Sequence, residues 1–374
     1  MLKGVHLTLM IGPAVPVAAP AIVVDSLSGV QVNHDKDRSG FQLTFNVSKD
    51  SLLLNAMLPA GYFDPMITRV IIIATLNGFP HVLMDGIVTR QAMAPSSDVG
   101  QSTLTITGED LSIAMDVVEK VLPYPALTIV AKIYAILAPY AALGIVPLVI
   151  PPFIDIPDSV TEGWETQTGT DRAFIKQLAQ LVGYVFFVMP GPLPGQSIAY
   201  FGPDINVPVP QPALTMNMDA HTNIESLSFA LDGLAKNITI MSILDPITGK
   251  VIVPIPLPNI NAFKPPLGAR PTAPAKVIFD KEGSKFSPTK AAQKILGHLM
   301  NNSTAVSATG SLDVLRFGNV LKSRLLVGVR GAGLAYDGMY YVDSVTHDIK
   351  PGEYKQNFTL SRDGLISNTP VVLP

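Results

Sequence analysis

Phe41-Gln42-Leu43-Thr44-Phe45-Asn46-Val47 alternates strictly between apolar and polar residues. In an extended chain successive side chains point to opposite faces, so Phe41, Leu43, Phe45 and Val47 share one face and need a core beneath it. Before this run, Asp35-Lys36-Asp37-Arg38-Ser39-Gly40 reads as a polar turn, and Ala21–His34, which contains VVDSLSGVQV, as a strand with one turn. After it, Arg69–Leu76 (RVIIIATL) reads as a strand buried on both faces. That strand ends at Asn77-Gly78, a residue pair that two-residue hairpin turns favour because both positions adopt positive φ. Phe79–Arg90 returns, and Ser102–Thr107 (STLTIT) adds another strand. Short strands joined by tight turns predict a barrel-like β domain over residues 21–112.

The pattern changes after Gly108. Glu109–Lys120 sets Leu111, Ala114, Met115 and Val118 at helical spacing, and Ala126–Ala138 reads as an apolar helix containing Lys132. Thr170–Val182 is a cleaner helix, with Thr170 as N-cap and Gly183 at its C-terminal stop, and Tyr184–Val188 follows as a strand. Two proline-rich stretches, Met189–Pro212 and Pro246–Pro274, read as extended connectors. Ile224–Leu231 and Asn237–Leu244 are expected strands. Ser287-Pro288 opens a helix whose apolar face holds Ala291, Ala292, Ile295, Leu296 and Leu299. Arg324–Val329, Gly338–Thr346 and Tyr354–Ser361 complete the strands. The class is α+β, mainly β. The expected division is an N-terminal arm over 1–20, a first barrel-like domain over 21–112, a helical α+β insert over 113–200 and a second barrel-like domain over 201–374.

Composition limits what such a chain does. With no cysteine among 374 residues there are no disulfides, thiolate metal sites or cysteine nucleophiles. A net charge of −3 leaves no basic footprint for nucleic acid. Charged residues are 15%, against roughly 25% in ordinary soluble domains. Such a chain either enters a membrane or covers part of its surface with partners. Met1–Val24 superficially suggests a signal peptide, but Pro13, Pro16 and Pro20 interrupt it, so an extended arm is expected. Ile133–Ile154 carries no charge and is long enough to span a bilayer, but Pro139, Pro147, Pro151 and Pro152 divide it. A buried helix followed by an extended apolar segment in an interface is expected there, with no stable membrane span.

The search for chemistry yields no catalytic, cofactor or metal residues. Asp35–Gly40 copies the first half of a calcium loop, but the twelfth position is Asn46 instead of a bidentate Glu. His6, His34, His81, His221, His298 and His347 are scattered, with no two inside ten residues. Glu162 and Glu165 flank Trp164, a pairing better read as a solvated face than as a glycosidase dyad. No nucleophile elbow or Walker loop is present, and Gly331-Ala332-Gly333 lacks the third glycine and the following helix of a nucleotide site. His347 and Tyr354 are expected in structural roles at strand ends, and Trp164 as a packing anchor.

Ser311–Leu365 resembles the hub proteins of contractile injection systems, namely the phage late control D family and the hub part of VgrG-type spikes. The most specific part is Tyr340-Tyr341-Val342, Val345-Thr346-His347, Gly352-Glu353-Tyr354 and Phe358-Thr359-Leu360-Ser361-Arg362. Ser39–Phe45, Thr170-Asp171 through Gly183-Tyr184, and Tyr200-Phe201-Gly202-Pro203 match in order. The resemblance implies a non-enzymatic baseplate hub with no cofactor. It implies a homotrimer whose two β domains per chain form a pseudo-six-fold ring, adapting a six-fold inner tube above to a three-fold spike below. Other baseplate proteins would surround it, after cytoplasmic assembly into a phage virion or injection particle. Because the chain ends at Pro374, the spike is expected to be a separate polypeptide. Under this resemblance Arg330 and Arg362 either line the lumen or bind a neighbour's carboxylate. The alternatives are a carbohydrate-binding or adhesion module of a tail, for which one Trp and 7% aromatics give little platform, and a membrane-associated enzyme or anchor. The composition also predicts that the isolated chain aggregates and that its partners rescue it.

Overall fold

The computed structural model describes residues 4–13, 15–36, 38–98, 102–157, 165–205, 207–244, 251–257, 264–280, 293–297 and 304–369. The first half contributes β1 (Val5–Pro13), β2 (Val17–Ala18), α1 (Ala21–Ser26), β3 (Leu27–His34), β4 (Ser39–Val47), β5 (Thr68–Leu76), β6 (Phe79–Ala94) and β7 (Ser102–Asp110). Strand β4 buries Phe41, Leu43, Phe45 and Val47, as its alternation requires. Asn77 and Gly78, with φ of 52° and 90°, turn β5 into β6. Residues 5–13, expected in an extended arm, form a sheet strand: β1 pairs antiparallel with β5 along its whole length. Alternating apolar residues such as Leu9 and Ile11 reach the core from it, and burying them outweighs the freedom of a loose arm. Ala21–Ser26, read as part of a strand, is a short helix behind Pro20 that buries Val23.

The middle of the chain gives β8 (Glu119–Pro123), α2 (Ile129–Leu137), β9 (Ile145–Val149), β10 (Thr166–Thr170), α3 (Asp171–Val182), β11 (Tyr184–Pro190) and β12 (Ser197–Pro203). The helix expected over Glu109–Lys120 shrinks to a 3-10 segment, Leu111–Asp116, capped by Asp110. The β-branched pair Val117-Val118 leads instead into β8, which pairs with β10. The uncharged stretch Ile133–Ile154 divides at its prolines and Gly144 into the end of α2, a 3-10 turn (Ala138–Leu143) and β9. Among the described residues no helix is long and apolar enough to cross a membrane.

The last part holds β13 (Val207–Thr215), β14 (Ser226–Leu231), β15 (Asn237–Leu244), β16 (Val251–Leu257), β17 (Gly268–Pro271), β18 (Lys276–Asp280), β19 (Val306–Asp313), β20 (Leu325–Arg330), β21 (Gly338–Lys350), β22 (Glu353–Arg362) and β23 (Gly364–Ser367). Both proline-rich stretches, expected as connectors, carry strands. Proline lacks an N–H, so it is confined to edges and irregular pairings. Strand β16, with Pro254 and Pro256, is an edge strand, and β13 pairs with β20 through two register shifts, one at Pro208 and one at Pro212. The N-cap expected at Ser287 lies outside the described residues, while 293–297 is helical.

One sheet of 13 strands organises the molecule, ordered β14-β19-β22-β21-β3-β4-β7-β6-β5-β1-β2, with β20 and β13 branching from β21. Strand β21 pairs antiparallel with β3, so the ladder runs from the C-terminal half straight into the N-terminal half. One apolar cluster follows it, from Leu9 and Phe45 to Tyr354 and Leu360. A second cluster packs α2 and α3 on β9, β11 and β12. The two meet at a bidentate ion pair. Arg69 Nε and Nη2 each donate to an Asp85 carboxylate oxygen at 2.7 Å, and Nη2 also donates to the Gly195 carbonyl at 3.1 Å.

Candidate functional site

The residue types that sequence reading singled out converge at the seam between β3 and β21. These strands align His34 with Val345 and Val32 with His347. The two imidazole rings lie edge to face, 5.3 Å apart. His347 is buried, and its Nδ1 faces the Tyr354 hydroxyl at 2.8 Å and Gln356 Nε2 at 3.3 Å. The amide can only donate, so Nδ1 accepts and the ring is neutral. Burial, and then the His34 ring, pushes the His347 pKa well below the ordinary histidine value. Burial, and then the Arg324 guanidinium, lowers that of His34 to about 4.

Arg324 closes the same seam from outside. Its Nη2 donates to the carbonyls of Asp35 and Lys36 at 2.6 and 2.9 Å, and its guanidinium lies 3.9 Å from the Phe187 ring centre. The turn that copies half a calcium loop thus gives two carbonyl oxygens to a protein cation, and Lys36 pairs with Asp343 at 2.7 Å. Asp37 lies outside the described residues.

A second polar cluster sits in the helical unit, and the residue list drawn from the sequence missed it. Lys132, only 1% exposed on the apolar helix α2, pairs with Glu165 at 2.8 Å. Asp171 accepts from Lys120 Nζ at 2.6 Å, Tyr140 Oη at 2.7 Å and Gln167 Nε2 at 2.7 Å. Burial would raise the Asp171 pKa, but the donors Gln167, Lys120 and Tyr140 outweigh it and hold the carboxyl below its ordinary value. The available signal was a single lysine inside an apolar helix, since a buried ammonium requires a carboxylate partner. Glu162 and Trp164 lie outside the described residues, so the pairing imagined for Glu162 and Glu165 goes no further than Glu165 with Lys132.

Arg362 is turned inward. At 1% exposure it donates Nε to Gly364 O, Nη1 to Asp337 O and Nη2 to Ala335 O at 2.7 to 2.9 Å, and it stacks on Tyr340 at 4.5 Å. It therefore fixes the loop between β20 and β21, in place of the lumen-facing or partner-binding role expected of it. Arg330 at the base of that loop is partly exposed. His6 and His221 are exposed, His81 is partly buried on β6, and His298 lies outside the described residues. Among the described residues no group of three or more histidine or acidic side chains could hold a metal ion. Chemically, these clusters neutralise buried charge and lock strands together.

No protein-family model and no curated protein matches this chain. Solved structures do match it, over its whole length. The tail protein from Neisseria meningitidis MC58 aligns with 97% of this chain and 98% of its own, at 15% identity and a TM-score of 0.58. The 43 kDa tail protein of prophage MuSo2 from Shewanella oneidensis aligns over 97% and 100%, at 12% identity and a TM-score of 0.58. The fold is that of phage tail proteins. A chain of the Francisella PdpA–VgrG complex also aligns with all of this chain, at 10% identity and a TM-score of 0.58, and this chain spans 60% of that longer one.

Proposed function

We propose that this protein is a structural component of a phage tail or related injection machine, and within it the baseplate hub. In this reading three copies form a ring of pseudo-six-fold character. An inner tube protein sits above, a spike protein below, and other baseplate proteins around it. The chain is not an enzyme and belongs to a virion or injection particle. The observation that carries the reading is the end-to-end match to two tail proteins, with 97% of this chain aligned in each case. The continuous β3–β21 ladder supports a scaffold role, because its backbone hydrogen bonds join the two halves of the chain in one sheet. The Asp171 and His347 clusters have their polar groups turned into the fold, which suits a scaffold better than a reaction site.

Native mass spectrometry of the full chain, together with electron microscopy of assembled particles, tests this. A trimer located between tube and spike is expected. A chain that stays monomeric in solution and is absent from the particle axis would overturn the hub reading.

A further inference from the structure

One face of the large sheet is covered by serine, threonine, asparagine and glutamine. Directly opposed residues of antiparallel strands project to the same side. Across β14, β19, β22 and β21, Ser228 lies opposite Thr309, Thr309 opposite Thr359, and Thr359 opposite Ser344. Two residues along, Ser226, Ser311, Asn357, Thr346 and Asn33 form the next row and carry it over the seam into β3. Gln42 opposite Thr107 and Thr44 opposite Thr105 extend the face over β4 and β7. Alternate residues of the same strands, such as Ala308, Phe358, Val345, Val32 and Leu43, belong to the apolar core on the other side. Seven neighbouring strands make the polar face about 30 Å wide.

The chemistry of this face suits water. Leu231, the exposed large apolar residue on these strands, shares the opposite side with Leu227 and Phe229. The polar groups bond to one another: the Ser226 and Ser311 hydroxyls at 2.8 Å, Thr346 Oγ1 to Asn33 Oδ1 at 3.1 Å, and the Gln31 and Asn357 amides to Asp348 at 3.1 Å. Charge is sparse and matched, since Asp348 takes those two amides and Lys355 pairs with Glu225 and Glu353. An open groove of about 470 Å³ lies between Ser226, Thr309, Thr346 and Asn357, so the surface is concave there. A protein contact gains by covering apolar area and loses by stripping water from hydroxyls and amides. Nucleic acid is gripped by cations, and a polypeptide by apolar patches. This face offers neither.

We infer that this face stays hydrated in the assembled particle and is the wall of the channel through the ring, a neutral surface past which a polymer slides without being gripped. This rests on the ring proposed above, whose outer, upper and lower surfaces are taken by other proteins, and adds which face turns inward and what it presents to the cargo.

The chain has no cysteine, so single thiols report on the face without background. Thr309→Cys and Thr44→Cys are placed in assembled particles and treated with a small maleimide, or with a maleimide on a bulky protein carrier. Expected is labelling of both positions by the small reagent, and by the bulky one only after the particles are dissociated. A face closed to the small reagent is covered by a partner, and a face open to the bulky one lies outside. Either result overturns this inference and leaves the hub standing. A chain absent from the particle axis overturns both. The neutrality is tested on the purified trimer by fluorescence anisotropy of a labelled single-stranded oligonucleotide at low salt. The unaltered chain should not bind it, while Thr309→Lys with Asn357→Lys should bind it in a salt-sensitive way at unchanged trimer mass. Binding by the unaltered chain, or none by the variant trimer, overturns the neutral wall. A variant that no longer forms trimers shows the face to be a contact and does the same.

Discussion

Removing the buried Arg362 guanidinium takes a donor from the carbonyls of Asp337 and Gly364 and leaves that of Ala335 with the Ile366 amide alone. Arg362→Ala should lower stability by about 3 kcal/mol, the order expected for a buried, multiply bonded charge. Arg362→Lys should recover only part of this, because an ammonium cannot fork to three carbonyls. Denaturant melts measure both, and hydrogen exchange should quicken over 331–337 in either variant. The His34–His347 pair makes the seam sensitive to acid. Both rings have folded pKa values below the unfolded value of about 6.5. The unfolded chain therefore binds more protons than the native one, and stability rises with pH between the two values. It is fully present above about pH 6.5 and is lost as pH falls toward about 4, the His34 value. His34 keeps some exposed surface and His347 is buried, so His347 carries the larger share of the loss. Urea midpoints at pH 7 and 4.5 should show it, and His347→Gln should flatten the difference. An equal pH slope in that variant would contradict the assignment.

Elements with strong local signals were legible in the sequence. Strand β4 followed from its alternation, the β5–β6 hairpin from Asn77-Gly78, and α3 from its two caps. Thr170 Oγ1 accepts from the Ala173 amide at 3.2 Å, and Gly183 takes φ 70°. Where tertiary pairing decides, the sequence misled. Glu109–Lys120 carries a helical apolar spacing, yet β7 and β8 claim its ends through partners in other segments. Proline content pointed to connectors, because an edge strand and a linker look alike until the neighbouring strand is known. The buried clusters were legible only as single residues. Nothing in the chain order brings Lys132 to Glu165, or His34 to His347 across more than three hundred positions. Two substitutions probe the two ends of α3. Thr170→Ala should cost about 1–2 kcal/mol, because it removes both the N-cap bond and the hydroxyl's 2.6 Å bond to Asp116 Oδ1. Gly183→Ala should cost about 2–4 kcal/mol, because it combines a left-handed backbone with collision against the Gly297 backbone. A Gly183→Ala loss in urea melts no larger than a left-handed backbone alone costs would mean that the Gly297 contact contributes nothing.

At the scale of the whole molecule, the seam makes one body of two halves. Five register pairs join β3 to β21. Around them run the Gln31–Asp348 and Thr346–Asn33 hydrogen bonds, the Lys36–Asp343 ion pair, the histidine pair and the Arg324 clamp. The apolar cluster beneath draws Val30, Val32 and Leu43 from one side and Val345, Phe358 and Leu360 from the other. A chain divided between β12 and β13 cuts no strand of this seam. The two pieces, expressed together, should therefore purify as a one-to-one complex. Expressed apart, each should expose an unpaired strand, β3 or β21, in the middle of what was a continuous sheet. Such an edge is a template for wrong pairing, so the separate pieces should be markedly less soluble. Charge changes on the seam should act on the complex alone: Lys36→Glu places two carboxylates where an ion pair stood and should weaken reassociation of the pieces. Pieces that fold and stay apart as soluble monomers would show that the halves only abut.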